Sequence, residues 1–205
     1  QFLSDNRDCK VCLNCIKNCT HHATRLNFRV PGAEISSLRE PSLPGALFSI
    51  ILSGLLVAKI LSSIDIIQGN YPFIFSASIL FALTLNITIN YFTALILKET
   101  VIEHLKLFGY TLIPLILFGF ISLYSIDVFG NVNGSLMIFN SYELNLNFTR
   151  AFQLLTVLTG LFITEYLIYK IIQNRITKSR QFQIFAIQGM VPLVLSIIYI
   201  MLFFA

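Results

Sequence analysis

The sequence predicts a mostly α, polytopic membrane fold in which a short polar segment precedes about five transmembrane helices. Three observations predict it. Apolar residues make up 56% of the 205 residues and charged ones 12%, well below the roughly 25% charged residues of a soluble domain, and mean hydropathy is +0.77. The apolar residues are gathered into five runs, each long enough for the about 20 helical residues that cross a ~30 Å hydrocarbon layer. The polar residues, and all four cysteines, are concentrated in the first part of the chain.

Residues 1–34 form the polar segment and 35–42 a linker to a membrane domain over 43–205. Within the segment, Thr24-Arg25-Leu26-Asn27-Phe28-Arg29-Val30 alternates apolar and polar residues, which predicts a strand with Leu26, Phe28 and Val30 on one face. Pro31-Gly32 closes it with a turn. The chain opens on Gln1 rather than Met and shows no basic-then-apolar signal peptide, so the start of the protein is expected upstream.

The expected spans are Leu43–Ile67, Phe73–Leu97, Leu105–Ile126, Ala151–Ile172 and Ile184–Ala205. Helices are expected because a spanning segment must satisfy its own backbone hydrogen bonds, and the runs are too evenly apolar for barrel strands. The basic residues set the orientation. Arg7, Lys10, Lys17, Arg25, Arg29, Arg39, Lys98, Lys106, Lys170, Arg175, Lys178 and Arg180 fall on one side, Arg150 alone on the other, and Lys59 inside the first span. Twelve against one predicts that the cysteines lie in the cytoplasm and the C-terminus opposite, as in a bacterial inner membrane. Orientation also accounts for the net charge of +4, so no nucleic-acid partner is expected.

Cys9, Cys12, Cys15 and Cys19 are spaced C-x2-C-x2-C-x3-C. In a reducing compartment such spacing suits metal ligation better than disulfides. Tetrahedral zinc also accepts four thiolates, although its ligands usually come as two separated C-x-x-C pairs. The run resembles that of bacterial ferredoxins over roughly residues 5–30. That resemblance implies a partial α+β fold and a 4Fe-4S cluster held by these cysteines. It further implies that the segment is the C-terminal half of a two-cluster module, because the fourth cysteine of such a run ligates the other cluster. Cys19 would then serve a second cluster whose remaining ligands lie upstream of Gln1 or in another chain; one cluster held by all four cysteines is the alternative. Thr20 stands where ferredoxins have proline, and His21-His22 follow as an expected solvated pair.

Lys59, Asp65 and Glu165 are the ionisable residues inside the spans, where a charge costs about 2.5–3.5 kcal/mol on insertion scales. Lys59 and Glu165 are therefore candidates for a proton, ion or quinone contact, against snorkelling or an interhelical ion pair. In the second span Asn86 and Asn90 share one face and Thr84 and Thr88 another, a pattern expected to join helices. Glu99, Glu103 and His104 read as a solvated helix end, and Pro114 and Pro192 as kinks. No histidine lies within the expected spans, so no bis-His haem is expected in the membrane.

A ferredoxin-type run fused to a polytopic domain resembles the membrane polyferredoxins. The resemblance implies electron transfer between a cytoplasmic donor or acceptor and a membrane partner, either a quinone or another redox subunit. It also implies membership of a larger membrane complex or a longer chain. An assembly or regulatory role for a respiratory metalloenzyme is the alternative from a different class, and a transporter gated by the cluster a third.

Overall fold

The computed structural model describes Lys17 and residues 41–62, 71–136 and 142–204; over 126–136, 142–147 and 203–204 it describes the backbone. Cys9, Cys12, Cys15 and Cys19, the expected strand and turn, His21, His22 and Asp65 lie outside the described residues. Among the described residues there is no strand. The elements are α1 (Leu43–Ser62), α2 (Tyr71–Leu97), α3 (Val101–Gly109), a 3₁₀ turn (Tyr110–Leu112), α4 (Ile113–Leu136), α5 (Tyr142–Arg175) and α6 (Lys178–Phe204). They make five spans long and apolar enough to cross a membrane, the third formed by α3, the 3₁₀ turn and α4 together.

The helices outrun the apolar stretches that announced them. α5 starts at Tyr142 rather than Ala151, α6 at Lys178 rather than Ile184, and α4 continues to Leu136. Hydropathy marks the part of a helix that lipid solvates, whereas backbone bonding propagates past that boundary once the helix is nucleated.

The two prolines act differently. Pro114 has no N–H for the carbonyl of Tyr110, and the preceding residue supplies one instead: Ile113 N–H bonds Tyr110 O, tightening the chain into the 3₁₀ turn that divides α3 from α4. Pro192 sits inside an unbroken α6 and deprives the Gln188 carbonyl of its helical donor.

Around the bundle, α1 packs on α2, α2 on α6, α6 on α5 and α5 on α4, while α3 and α4 return to α1. Lipid is as apolar as leucine, so burying apolar area does not decide which faces meet; close approach and hydrogen bonds do. Gly54 brings α1 against the backbone of α2, and Gly160 brings α5 against Leu115 and Phe118 of α4. The Tyr199 hydroxyl, fully buried, donates to Ser53 O at 3.3 Å and ties α6 to α1. Ser122 and Gln153 bond reciprocally between α4 and α5: Ser122 Oγ donates to Gln153 O at 3.3 Å and Gln153 Nε2 to Ser122 O at 3.2 Å. Large apolar side chains such as Phe73, Phe162 and Phe182 point outward instead.

Two apolar clusters fill the interior. The larger joins Ile50, Leu56, Leu115, Leu195 and Tyr199. The smaller, made by Phe108, Ile168, Ile171, Ile172 and Ile184, draws in Leu97, Leu107 and Ile176 from the chain ends around it.

Candidate functional site

At the end of the bundle where Pro41 leads into α1, the α2–α3 and α5–α6 connections line a half-open cavity of about 1180 Å³. Local sequence builds its walls. α2 ends with Lys98 in the left-handed region, φ 61°, and Glu99 N–H reaches back to Ala94 O at 3.2 Å, which reverses the chain in a Schellman-type cap. Thr100 then caps α3, its hydroxyl accepting from Glu103 N–H at 3.4 Å, in the Thr-x-x-Glu pattern of a capping box. Across the cavity, Arg180 near the start of α6 donates to Ile96 O, holding the α2 C-terminus against the fifth span.

His104 is only 3% exposed, which corrects the expectation of a solvated helix end. Its ring stacks on Phe108, with centroids 6.2 Å apart and planes at 17°. Its Nε2 lies 3.2 Å from Oε2 of Glu99, whose side chain is 55% exposed. The contact lacks hydrogen-bond geometry, and neither ring nitrogen has a hydrogen-bond partner among the described residues. The placement was readable: His104, Phe108, Leu112 and Leu115 follow helical spacing, and all four are buried. A histidine next to two glutamates suggested water, but its position on the apolar stripe decides its burial.

Asn86 and Asn90 are buried, as their shared face predicts, whereas Thr84 and Thr88 are exposed and make no interhelical hydrogen bond among the described residues. Thr84 donates to its own helix at Phe81 O, 3.0 Å away, which satisfies the hydroxyl without a neighbour. The partner of the asparagine face is Gln188 of α6, whose Nε2 donates to Asn90 Oδ1 at 3.2 Å and to Thr93 Oγ1 at 2.8 Å. Gln188 was missed although it is an amide inside an apolar run, which is signal enough. Gln188→Leu is expected to lower stability by roughly 1–2 kcal/mol, since each interhelical hydrogen bond in a bilayer protein averages about 0.6 kcal/mol and Asn90 would also lose a partner. Reversible unfolding in mixed micelles measures it, and an unchanged midpoint would contradict it.

The two charged candidates within the spans do not meet. Lys59 is exposed in the last turn of α1. Glu165 lies on α5, roughly 15 Å along the helix from Arg175 at 1.5 Å per residue, and its carboxylate packs on Gly189 of α6: a Cβ there would come 2.9 Å from Oε2. Glu165 Oε1 is buried with no hydrogen-bond partner among the described residues. No group of three or more His, Cys, Asp or Glu capable of holding a metal comes together among the described residues.

The fold and this site define an integral membrane protein, with five helical spans among the described residues and an amphipathic cavity at its basic end. No protein-family model matches the chain, and comparison with curated proteins and with solved structures finds no match.

Proposed function

We propose that the chain is a membrane-anchored iron–sulfur electron-transfer protein, passing single electrons between a cytoplasmic donor or acceptor and a redox partner in the membrane. One observation carries this reading: the C-x2-C-x2-C-x3-C run of Cys9 to Cys19 directly precedes five membrane-spanning helices. The donor set fits the group, since four thiolates are the soft ligands that iron–sulfur clusters take. Cys9, Cys12, Cys15 and Cys19 would hold 4Fe-4S clusters, shared with further ligands from outside this run, and the bound clusters would supply one-electron chemistry. Lys10, Lys17 and Arg25 supply positive charge that would attract an acidic redox partner. The helices hold it at the membrane, and Pro41, at the end of the linker, lines the cavity beside His104. The basic residues of the α2–α3 and α5–α6 connections fall on that same side, as a cytoplasmic assignment requires.

Anaerobic redox titration of the purified protein tests this. The visible absorbance of the clusters should bleach reversibly in one-electron steps, and the reduced protein should be reoxidised by added quinone or by a membrane redox subunit. A cluster that binds stably but exchanges electrons with none of these would contradict the reading and favour the assembly role.

A further inference from the structure

The geometry points to Glu165 as a proton-binding site within the bilayer: a carboxyl group seated in the seam between α5 and α6 that binds and releases a proton. The inference stands apart from the cysteine run, and neither depends on the other.

Glu165 lies roughly 15 Å along α5 from Arg175, the last residue of the helix. That is about half of the ~30 Å hydrocarbon layer, the depth at which a charged side chain costs most. No ion pair or hydrogen bond reaches the carboxyl group among the described residues, and Oε1 is fully buried. The charged groups of the surrounding elements are placed elsewhere. On α5 itself, Lys170 sits over the Tyr166 ring, 5.8 Å from its centroid. α6 carries Lys178 and Arg180 in its first turn, and Arg180 is engaged with the Ile96 carbonyl. Glu103, His104 and Lys106 of α3 belong to the basic end, and the Tyr110 hydroxyl of the 3₁₀ turn pairs with Ser42 at 2.8 Å. α4 has no charged residue from Ile113 to Ser125, and Lys59 is exposed in the last turn of α1. A buried carboxylate with no partner is costly enough that the group takes up a proton instead.

The seam is shaped for the acid. α6 makes room for it at Gly189, where a Cβ would come 2.9 Å from Oε2 and 3.2 Å from Oε1. Pro192 leaves the carbonyl of the preceding residue, Gln188, without its helical donor. An acceptor short of a hydrogen thus lies one residue from the contact, and a carboxylic O–H is a donor where a carboxylate is not. Glu165 as a whole is half-buried, so a lipid-soluble reagent can reach it from the bilayer.

The test uses the whole chain in nanodiscs of an ether-linked zwitterionic lipid, which has no ester carbonyl to mask a carboxylic acid. At pH ~7 a solvated glutamate, with a pKa of about 4.3, is ionised. At that same pH the infrared spectrum of the native chain minus that of Glu165→Gln should contain the carbonyl stretch of an undissociated acid. Raising the pH should convert the band reversibly into carboxylate bands. Gly189→Ala, which crowds the carboxyl, should shift the acid band, whereas Phe162→Leu, on an exposed face, should not. Dicyclohexylcarbodiimide, which dissolves in the bilayer, should form an adduct at Glu165 that Glu165→Gln lacks. In that reaction the acid O–H adds across a C=N bond, the proton going to nitrogen and the carboxyl oxygen to carbon, and the acyl group then migrates to the other nitrogen as a stable N-acylurea. Carboxylate bands in place of the acid stretch at neutral pH would overturn the proposal. So would an acid band that persists however far the pH is raised, or labelling by a charged, water-soluble carbodiimide as fast as by the lipid-soluble one. An unshifted band in Gly189→Ala would overturn the placement of the proton against α6.

Discussion

Serine at Cys12 is expected to remove about half of the iron bound by the intact protein, and serine at Cys19 the other half, because the fourth thiolate of such a run ligates the neighbouring cluster. Thiolates two residues apart reach neighbouring irons of a single cubane, so Cys9→Ser and Cys15→Ser should reproduce Cys12→Ser. Cys19→Ser should differ from all three in which low-temperature EPR signal it loses. Serine preserves side-chain size while replacing a soft sulfur by a hard oxygen, so the comparison isolates ligation from packing. One shared phenotype for all four variants would contradict the two-cluster reading and support a single cluster. Full iron retention in every variant would contradict ligation by this run.

Gly54→Leu is expected to be the most damaging change within the membrane domain. A Cβ at this position would lie 2.8 Å from Ile79 Cα and 2.9 Å from Ser78 O. Both are backbone atoms of α2, so no flexible side chain can move aside and α2 itself must shift. Overpacking a tight core costs typically about 1–3 kcal/mol and occasionally more, and the added apolar atoms recover nothing because lipid solvates them equally well. We expect a loss of about 3 kcal/mol, read from reversible unfolding in mixed micelles, with Gly54→Ala losing about 1 kcal/mol. The consequence extends along α2 to Asn90 and Thr93, which bond Gln188, and to the Lys98 turn that sets the cavity rim. Phe81→Leu, on an exposed face, should leave stability within about 0.5 kcal/mol. Equal midpoints for Gly54→Leu and Phe81→Leu would contradict the packing account.

The five spans were legible because membrane insertion imposes a length and a composition that few residues violate. Their ends were not, since a helix such as α5 continues through polar residues that hydropathy excludes. Interhelical faces were half legible. Asn86 and Asn90 signalled a join, but Thr84 and Thr88, spaced in the same way, face outward because a threonine hydroxyl can satisfy itself on its own helix. At the cavity, the polar identities of Glu99, Glu103 and His104 hid the periodicity that buries His104. The cavity itself depends on bringing the α5–α6 turn beside the α2–α3 turn, a long-range fact that no local pattern in either segment carries. The cysteine run is the reverse case: spacing alone suggests its chemistry, and the residues themselves lie outside the described part of the chain.

Iron, acid-labile sulfide and zinc measured on the anaerobically purified protein, together with low-temperature EPR after reduction, test the central claim most directly. The account predicts iron and sulfide in equal amounts, with a reduced-state signal that disappears when the cysteines are replaced. Zinc bound in the absence of iron and sulfide would contradict it.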